Sequence, residues 1–235
     1  MFPYDVLAFS CGKELPYTGL TTMSRGKAMS KQLKKIAIID YGAGNLGSVV
    51  NALKKFGYAP TITATASDVL KADAVFFPGD GAAGATMASL EASGMAAAIR
   101  TLVEKRRPLF AICVGLQVLL SSTEEGGEYN CLDIVPGKVR KLPAGLKIPH
   151  MGWNQVKQQF RHAFFTDIPD NTNFYFVHSY YADPADRSVV AGATDYGLTF
   201  CSVLIRDNLF ATQFHPEKSG EPGLQMYSNF LKIAC

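Results

Sequence analysis

The stretch KIAIIDYGAGNLG, residues 35–47, joins an apolar run to a glycine-rich turn. Its residues 36–39 are apolar without interruption, which is typical of a strand buried on both faces. After the turn, a helix predicted at Ser48–Phe56 places Val49, Leu53 and Phe56 on one face. A buried strand, a tight turn and an amphipathic helix together indicate a parallel sheet covered by helices.

The alternation of strand and helix continues along the chain and then changes character. In the first half, the further predicted strands are Pro60–Thr63, Ala74–Phe77 and Leu109–Ile112. In the second half, the predicted strands are Ile134–Val139, Asn154–Lys157, Phe174–Tyr181, Val189–Thr194, Thr199–Ile205 and Leu209–Gln213, followed by a helix at Leu224–Ile233. Asp207-Asn208 is the predicted turn of the last hairpin. We therefore expect an α/β fold with a mixed, mostly parallel sheet and helices on both faces.

The N-terminal segment differs from the rest of the chain. Residues Met1–Lys34 lack apolar periodicity and carry scattered glycine, proline, serine and threonine. We expect them to be a peripheral extension, with one domain spanning residues 35–235. Met29 is a candidate natural start, and a transit peptide is the alternative interpretation of the segment.

Composition excludes several classes of protein. The 235 residues are 48% hydrophobic and 18% charged, with a net charge of +3 and no basic run, so neither nucleic acid nor membrane binding is favoured. The five cysteines contain no C-x-x-C pair, which argues against a zinc site and a disulfide scaffold. We expect a soluble, cytoplasmic protein without a metal or cofactor.

The turn Gly42–Gly47 matches the dinucleotide fingerprint G-x-G-x-x-G in spelling and position. That fingerprint also needs an acidic residue at the end of the next strand, to bind the ribose hydroxyls. The strand at residues 60–63 instead leads into threonines and alanines, and Asp68 falls within the next predicted helix. A tight strand-to-helix turn is therefore the preferred interpretation.

Cys113 lies where the predicted strand Leu109–Ile112 must turn sharply into a helix. This is the arrangement of a nucleophile elbow, and the small residues Ala111 and Gly115 leave room for the turn. A helix N-terminus at this point would stabilise a thiolate, and the amide of Val114 would face a developing oxyanion. The alternative from this segment alone is a buried structural cysteine.

His215 supplies the base that a cysteine nucleophile needs. It follows the apolar strand at residues 209–213 and therefore lies at another strand C-terminus. Glu217, two residues later, can orient the imidazole and stabilise its cationic form. Cys113, His215 and Glu217 are thus the predicted catalytic triad.

Six segments carry a more specific pattern: Ile39–Asn45, Pro78–Gly81, Ile112–Gln117, Pro149–Asn154, Phe176–Tyr180 and Gln213–Glu217. With these segments, the sequence from Lys35 onward resembles the class I (triad-type) glutamine amidotransferases. Within that family it resembles the glutaminase subunits of imidazole glycerol phosphate synthase. The resemblance implies a flavodoxin-like fold and hydrolysis of glutamine to glutamate and ammonia.

The resemblance also implies roles for residues around the triad. An oxyanion would be bound by the amide of Val114 and by backbone at Gly79. Glutamine would be recognised by residues after the elbow and by the His-Ser-Tyr segment: Gln117, Glu125, Ser179 and Tyr180. Glu124 adjoins Glu125, and the sequence does not decide which of the two faces the substrate.

The partner implied by the resemblance is a separate cyclase subunit, forming a heterodimer that makes imidazole glycerol phosphate and AICAR for histidine biosynthesis. Asn45, Met151 and Trp153 map to the expected subunit interface. An ordinary core role is the alternative for Trp153, the single tryptophan.

Two residues depart from the family pattern, which usually has glycine at position 111 and an apolar residue at position 80. Ala111 should fit if its φ is negative, whereas the carboxylate of Asp80 could slow hydrolysis in the absence of the partner. Two other functions remain open. One is a different triad glutaminase, of the anthranilate or aminodeoxychorismate synthase type, and the other is a non-catalytic partner-binding protein.

Overall fold

A mostly parallel sheet forms the centre of the computed structural model. The structure describes residues 34–42 and 44–234. The strands are β1 (Ile36–Ile39), β2 (Thr61–Thr63), β3 (Ala74–Gly79), β4 (Leu109–Cys113), β5 (Ser122–Thr123), β6 (Tyr129–Asn130), β7 (Gly137–Lys141), β8 (His150–Gln158), β9 (Thr172–His178), β10 (Tyr180–Pro184), β11 (Val190–Asp195), β12 (Thr199–Arg206) and β13 (Leu209–Thr212). The helices are α1 (Leu46–Lys55), α2 (Ala66–Lys71), α3 (Ala83–Ala92), α4 (Met95–Glu104), α5 (Val114–Gln117) and α6 (Gly220–Ala234). Short 3-10 helices occupy Ala163–Phe165, Arg187–Val189 and Pro216–Lys218.

The order of strands brings the ends of β3, β4 and β13 side by side. The sheet runs β2-β1-β3-β4-β13-β12-β10-β7-β5-β6, and its first five strands are parallel. From β12 onward the pairing is mostly antiparallel, and β11 branches from β12 to pair with β8, which pairs with β9. Carboxyl ends of adjacent parallel strands meet at one edge of a sheet, where α/β proteins bind ligands. The expected α/β fold with a mixed, mostly parallel sheet is confirmed.

Both faces of the central strands are buried, as their uninterrupted apolar runs require. Phe76 and Phe77 are adjacent in β3 and therefore point to opposite faces. Phe76 stacks on Tyr227 of α6 with ring centroids 5.4 Å apart, whereas Phe77 packs edge-on against Tyr41. The α6 helix thus covers one face of the sheet, and the β1 turn lies on the other.

Two strand predictions are wrong at particular residues. The predicted strand Phe174–Tyr181 breaks at Ser179, because β9 pairs with β8 whereas β10 pairs with β7 and β12. The predicted strand Ile134–Val139 begins only at Gly137, after Pro136, which has no N–H to donate to a ladder. The Asp207-Asn208 turn is confirmed, with Asp207 at a φ of +51°.

The prediction that Met1–Lys34 is a peripheral extension falls, except for Lys34, outside the described residues. Within the described part, α3 and α4 are two further helices between β3 and β4. None of the helices in this part is long and apolar enough to cross a membrane.

Candidate active site

Cys113 ends β4 in a strained conformation, with φ +55° and ψ −110°, and α5 begins at the next residue. A positive φ at a non-glycine residue between strand and helix is the geometry of a nucleophile elbow. Gly115 is required there, because a Cβ at this position would lie 2.3 Å from the carbonyl oxygen of Phe77. Ala111 lies within β4 and does not have a positive φ. Alanine therefore fits at this position, where the family usually has glycine.

His215 and Glu217 lie beyond the end of β13, the strand beside β4. The Nδ1 atom of His215 is 2.7 Å from Oε1 of Glu217, and both side chains are buried. The backbone on either side is fixed, since the amide of His215 donates to the carbonyl of Tyr175 and its carbonyl accepts from the Ser219 hydroxyl. Because a carboxylate only accepts, Nδ1 carries a proton and Nε2 faces away from Glu217.

The charge state of His215 follows from its neighbours. Burial lowers its pKa, but hydrogen bonds to Cys113 and Glu217, together with their negative charges, outweigh burial and raise the pKa to about 10. The raised pKa favours the imidazolium, which is the form that can donate a proton. Cys113, His215 and Glu217 are thus brought together in the order that a nucleophile, an acid-base and an orienting group require.

The triad opens into a cavity of about 370 Å³ at the carboxyl edge of the central strands. Seven residues predicted for the site line it: Cys113, Val114, Gln117, Glu125, Ser179, Tyr180 and His215. Six further residues line it: Asp80, Gly81, Pro149, Val177, His178 and Lys218. Glutamine is small enough for such a space, and most of the lining is polar.

Gly79 lies beside the nucleophile rather than in the cavity lining. It is the register partner of Cys113 between β3 and β4. A Cβ on Gly79 would lie 3.0 Å from the amide nitrogen of Gly115 and 2.7 Å from the hydroxyl of Tyr41. Only glycine therefore allows the backbone of β3 to approach the elbow this closely.

Glu124 and Glu125 point in different directions. Glu125 lines the cavity, and its Oε2 accepts a hydrogen bond of 2.6 Å from the amide of Ala83, at the start of α3. Glu124 pairs with Arg140 at 3.4 Å. The choice left open by the sequence is thus decided in favour of Glu125 as the carboxylate that faces the cavity.

Gln117, the last residue of α5, connects this helix to the part of the cavity wall that contains Tyr180. Its side-chain amide donates to the carbonyl of Tyr180 at 2.8 Å and to Oε1 of Gln213 at 3.2 Å. Gln213 in turn places its own amide 3.8 Å from the sulfur of Cys113. Sequence reasoning gave Gln213 no separate role, although a buried glutamine at the end of an apolar strand was a visible signal.

The residues predicted for a subunit interface are exposed. Met151 and Trp153 lie on the same face of β8, with 61% and 58% of their surface exposed. The alternative that Trp153 is an ordinary core residue is therefore wrong. Asn45 is also exposed and caps α1, its Oδ1 accepting from the amide of Ser48 at 3.4 Å.

Comparison with known proteins agrees with this geometry. The family model of class I glutamine amidotransferases matches residues 37–234. The imidazole glycerol phosphate synthase subunit HisH of Dehalococcoides mccartyi (strain CBDB1) is 57% identical over 199 residues, covering 85% of this chain and 97% of the relative. HisH of Moorella thermoacetica is 50% identical, covering 84% of this chain and 94% of the relative.

The chain belongs to the class I glutamine amidotransferases, in the HisH family.

Solved structures support the same glutamine amidotransferase fold. PurLQS from Thermotoga maritima aligns with a TM-score of 0.68 at 16% identity, over 85% of this chain and 99% of that one. The glutaminase domain of Trypanosoma brucei CTPS aligns with a TM-score of 0.61 at 16% identity, over 86% of this chain and 93% of that one. At such identities, the likeness concerns the fold alone.

Proposed function

We propose that this chain is the glutaminase subunit of an imidazole glycerol phosphate synthase. It hydrolyses glutamine to glutamate and ammonia, and the ammonia passes to a cyclase subunit that forms imidazole glycerol phosphate and AICAR in histidine biosynthesis. The observation that carries the proposal is the connected triad Cys113–His215–Glu217 at one cavity, in a chain whose curated relatives are HisH subunits.

The reaction proceeds through a thioester. The sulfur of Cys113 attacks the side-chain carbonyl carbon of glutamine, and His215 gives its proton to the nitrogen as ammonia leaves. Water then attacks the γ-glutamyl thioester, and His215 takes a proton from it as the thiolate departs and glutamate is released. Glu217 keeps the imidazole oriented and stabilises its cation throughout.

The developing oxyanion is bound by backbone amides. The amide of Val114 opens α5, and the amides of Gly79–Gly81 belong to the neighbouring segment that leaves β3 beside Cys113. Two preorganised N–H groups are the usual number for an oxyanion hole, and removing one such donor costs about 100-fold or more in rate.

Glutamine is held by groups at the two ends of the cavity. Glu125 binds the α-ammonium group, since it faces the cavity whereas its neighbour Glu124 pairs with Arg140. Gln117, Ser179 and Tyr180 form the wall against which the rest of the substrate lies. No metal or cofactor takes part in this scheme.

The cyclase subunit binds at the face that contains Met151 and Trp153, with Asn45 as a further contact. Exposed aromatic and methionine side chains are enriched at such interfaces. We place the heterodimer in the cytoplasm, because Cys113, Cys131 and Cys201 are unpaired thiols.

Glutamate release from glutamine should be measured with and without the cyclase subunit and its nucleotide ligand, for the natural chain and for Cys113→Ala. Strong activation by the partner that disappears in Cys113→Ala supports the whole proposal. Hydrolysis that is indifferent to the cyclase would keep the triad and overturn the partner. No hydrolysis even in the complex would favour a non-catalytic binding protein.

A further inference from the structure

A pair of buried histidines, His150 and His178, lies at the cavity wall, which His178 helps to line, and neither takes part in the hydrogen bond between His215 and Glu217. They are register partners between β8 and β9, and Nδ1 of His150 is 2.9 Å from Nε2 of His178. On the far side, Nδ1 of His178 is 2.9 Å from the carbonyl oxygen of Tyr180. The pair therefore connects a strand to the wall of the glutamine site.

The direction of each hydrogen bond in this chain is fixed by chemistry. A carbonyl oxygen only accepts, so Nδ1 of His178 must carry the proton, and Nε2 of the neutral ring must accept. His150 then donates from Nδ1, and its Nε2 is left as an acceptor 3.3 Å from the side-chain amide nitrogen of Asn154. That amide also donates to the carbonyl of Asp195 at 2.9 Å. Each donor and acceptor in this series of hydrogen bonds therefore has a single compatible assignment.

The same series of hydrogen bonds keeps both imidazole rings neutral. A second proton on His178 would sit on Nε2 and face the Nδ1–H of His150. If the His150 proton moved to Nε2 to avoid this clash, it would face the side-chain N–H of Asn154. Burial acts in the same sense, lowering the pKa of His150 to about 4 and that of His178 to about 3. A positive charge on His215, or on His150 if that ring were protonated, would further disfavour the cation of His178.

The carbonyl of Tyr180 is the point where the pair meets the catalytic elements. It accepts one hydrogen bond from His178 and a second from Gln117, four residues after the nucleophile. Strand β8 is held between β9 and β11, so the pair ties this carbonyl to a rigid element.

We propose that His150 and His178 are positioning residues for glutamine, fixing the Tyr180 carbonyl and thereby Gln117 and the Ser179–Tyr180 wall. This inference rests on the proposed glutaminase function. It predicts an effect on substrate binding rather than on the chemical step, because neither histidine touches the triad hydrogen bond between His215 and Glu217.

The test compares His150→Phe with His150→Asn in the complex with the cyclase subunit. Phenylalanine keeps the stacking of the ring on Tyr196 and Phe176 but removes the donor, whereas the carboxamide nitrogen of asparagine can take the place of Nδ1. His162→Phe is the matched control, because it also removes one hydrogen bond made by a histidine Nδ1. That atom accepts from the amide of Phe164 in the short helix Ala163–Phe165.

We expect His150→Phe to raise the KM for glutamine about tenfold with kcat nearly unchanged. A tenfold change is the usual effect of losing about one hydrogen bond. His150→Asn should recover most of the difference, and His162→Phe should leave KM unchanged. The same order is expected for glutamine dissociation constants in a Cys113→Ala background, which needs no turnover. Equal KM values and dissociation constants for His150→Phe and the natural residue would overturn the inference.

A second measurement applies to the unsubstituted protein and does not depend on activity. Histidine ¹⁵N chemical shifts in the complex should show both rings as neutral tautomers protonated at Nδ1, between about pH 5 and 8. A ring protonated at Nε2, or one that titrates in this range, would overturn the inference. Absence of glutamine hydrolysis in the natural complex would instead count against the proposed function, and the tautomers would still be measurable.

Discussion

At the scale of single residues, Glu124 and Glu125 are a matched pair of adjacent carboxylates with different surroundings. We expect Glu125→Gln to raise the KM for glutamine about tenfold to 100-fold, because a charge-assisted hydrogen bond to the substrate ammonium is lost. Glu124→Gln should change KM little, since Glu124 pairs with Arg140 at a half-exposed site. Steady-state glutaminase assays of the complex check both, and equal effects would contradict the assignment of Glu125.

Asp80 is an exposed carboxylate on the rim of the cavity that contains Cys113. We expect Asp80→Val to raise glutaminase activity without the partner about fivefold, because a negative charge near the oxyanion site disfavours the tetrahedral intermediate. Asp80→Asn removes the charge with little change of shape and should give a similar increase. An unchanged basal rate in both variants would show that Asp80 has no electrostatic role.

At the scale of elements, the elbow between β4 and α5 depends on the absence of a side chain at Gly115. We expect Gly115→Ala to destabilise the protein by about 1–3 kcal/mol, because the new methyl group must displace the backbone of β3. Gly47→Ala is the control, since nothing lies within 4 Å of a Cβ there and alanine favours a helix. Urea unfolding checks the pair, and equal stabilities would contradict the close packing of β3 and the elbow.

At the scale of the whole molecule, the exposed face of β8 should decide association with the cyclase subunit. We expect Trp153→Ala to weaken binding about 30-fold, the usual effect of removing an aromatic anchor. Ile62→Ala removes another exposed apolar side chain, on the edge strand β2, and should have little effect. Calorimetric titration gives both dissociation constants, and loss of affinity in Ile62→Ala alone would place the interface elsewhere.

Three buried histidines give stability a dependence on pH in both directions. The folded pKa of His215 is raised from 6.5 to about 10, so its contribution is complete below pH 6.5 and is lost as pH rises toward 10. The folded pKa values of His150 and His178 are lowered to about 4 and 3, so their contribution is lost as pH falls below 6.5.

We therefore expect the urea midpoint to be highest near about pH 6.5 and to fall on both sides, measured from about pH 5 to pH 9. His215→Asn should reduce the alkaline decline and leave the acidic decline in place. An alkaline decline of the same size in His215→Asn would mean that His215 is not the group responsible.

Sequence patterns alone predict the α/β fold, the elbow at Cys113, and His215 and Glu217 as the partners of Cys113. These follow from local patterns, since apolar runs, turns and motifs depend on residues close together in the chain. The break between β9 and β10 was missed, because aromatic residues resume directly after His178 and Ser179, so the sequence does not show that the pairing partner changes there.

The folded chain was needed to show which glutamate faces the cavity, that Trp153 is exposed, and that His150 contacts His178. These properties depend on sheet order and register, which join residues far apart in sequence: 28 positions separate the two histidines and 63 separate Gln117 from Tyr180. A strand's pattern shows which residues share a face, but the neighbouring strand decides whether that face is covered by protein or left open to a partner.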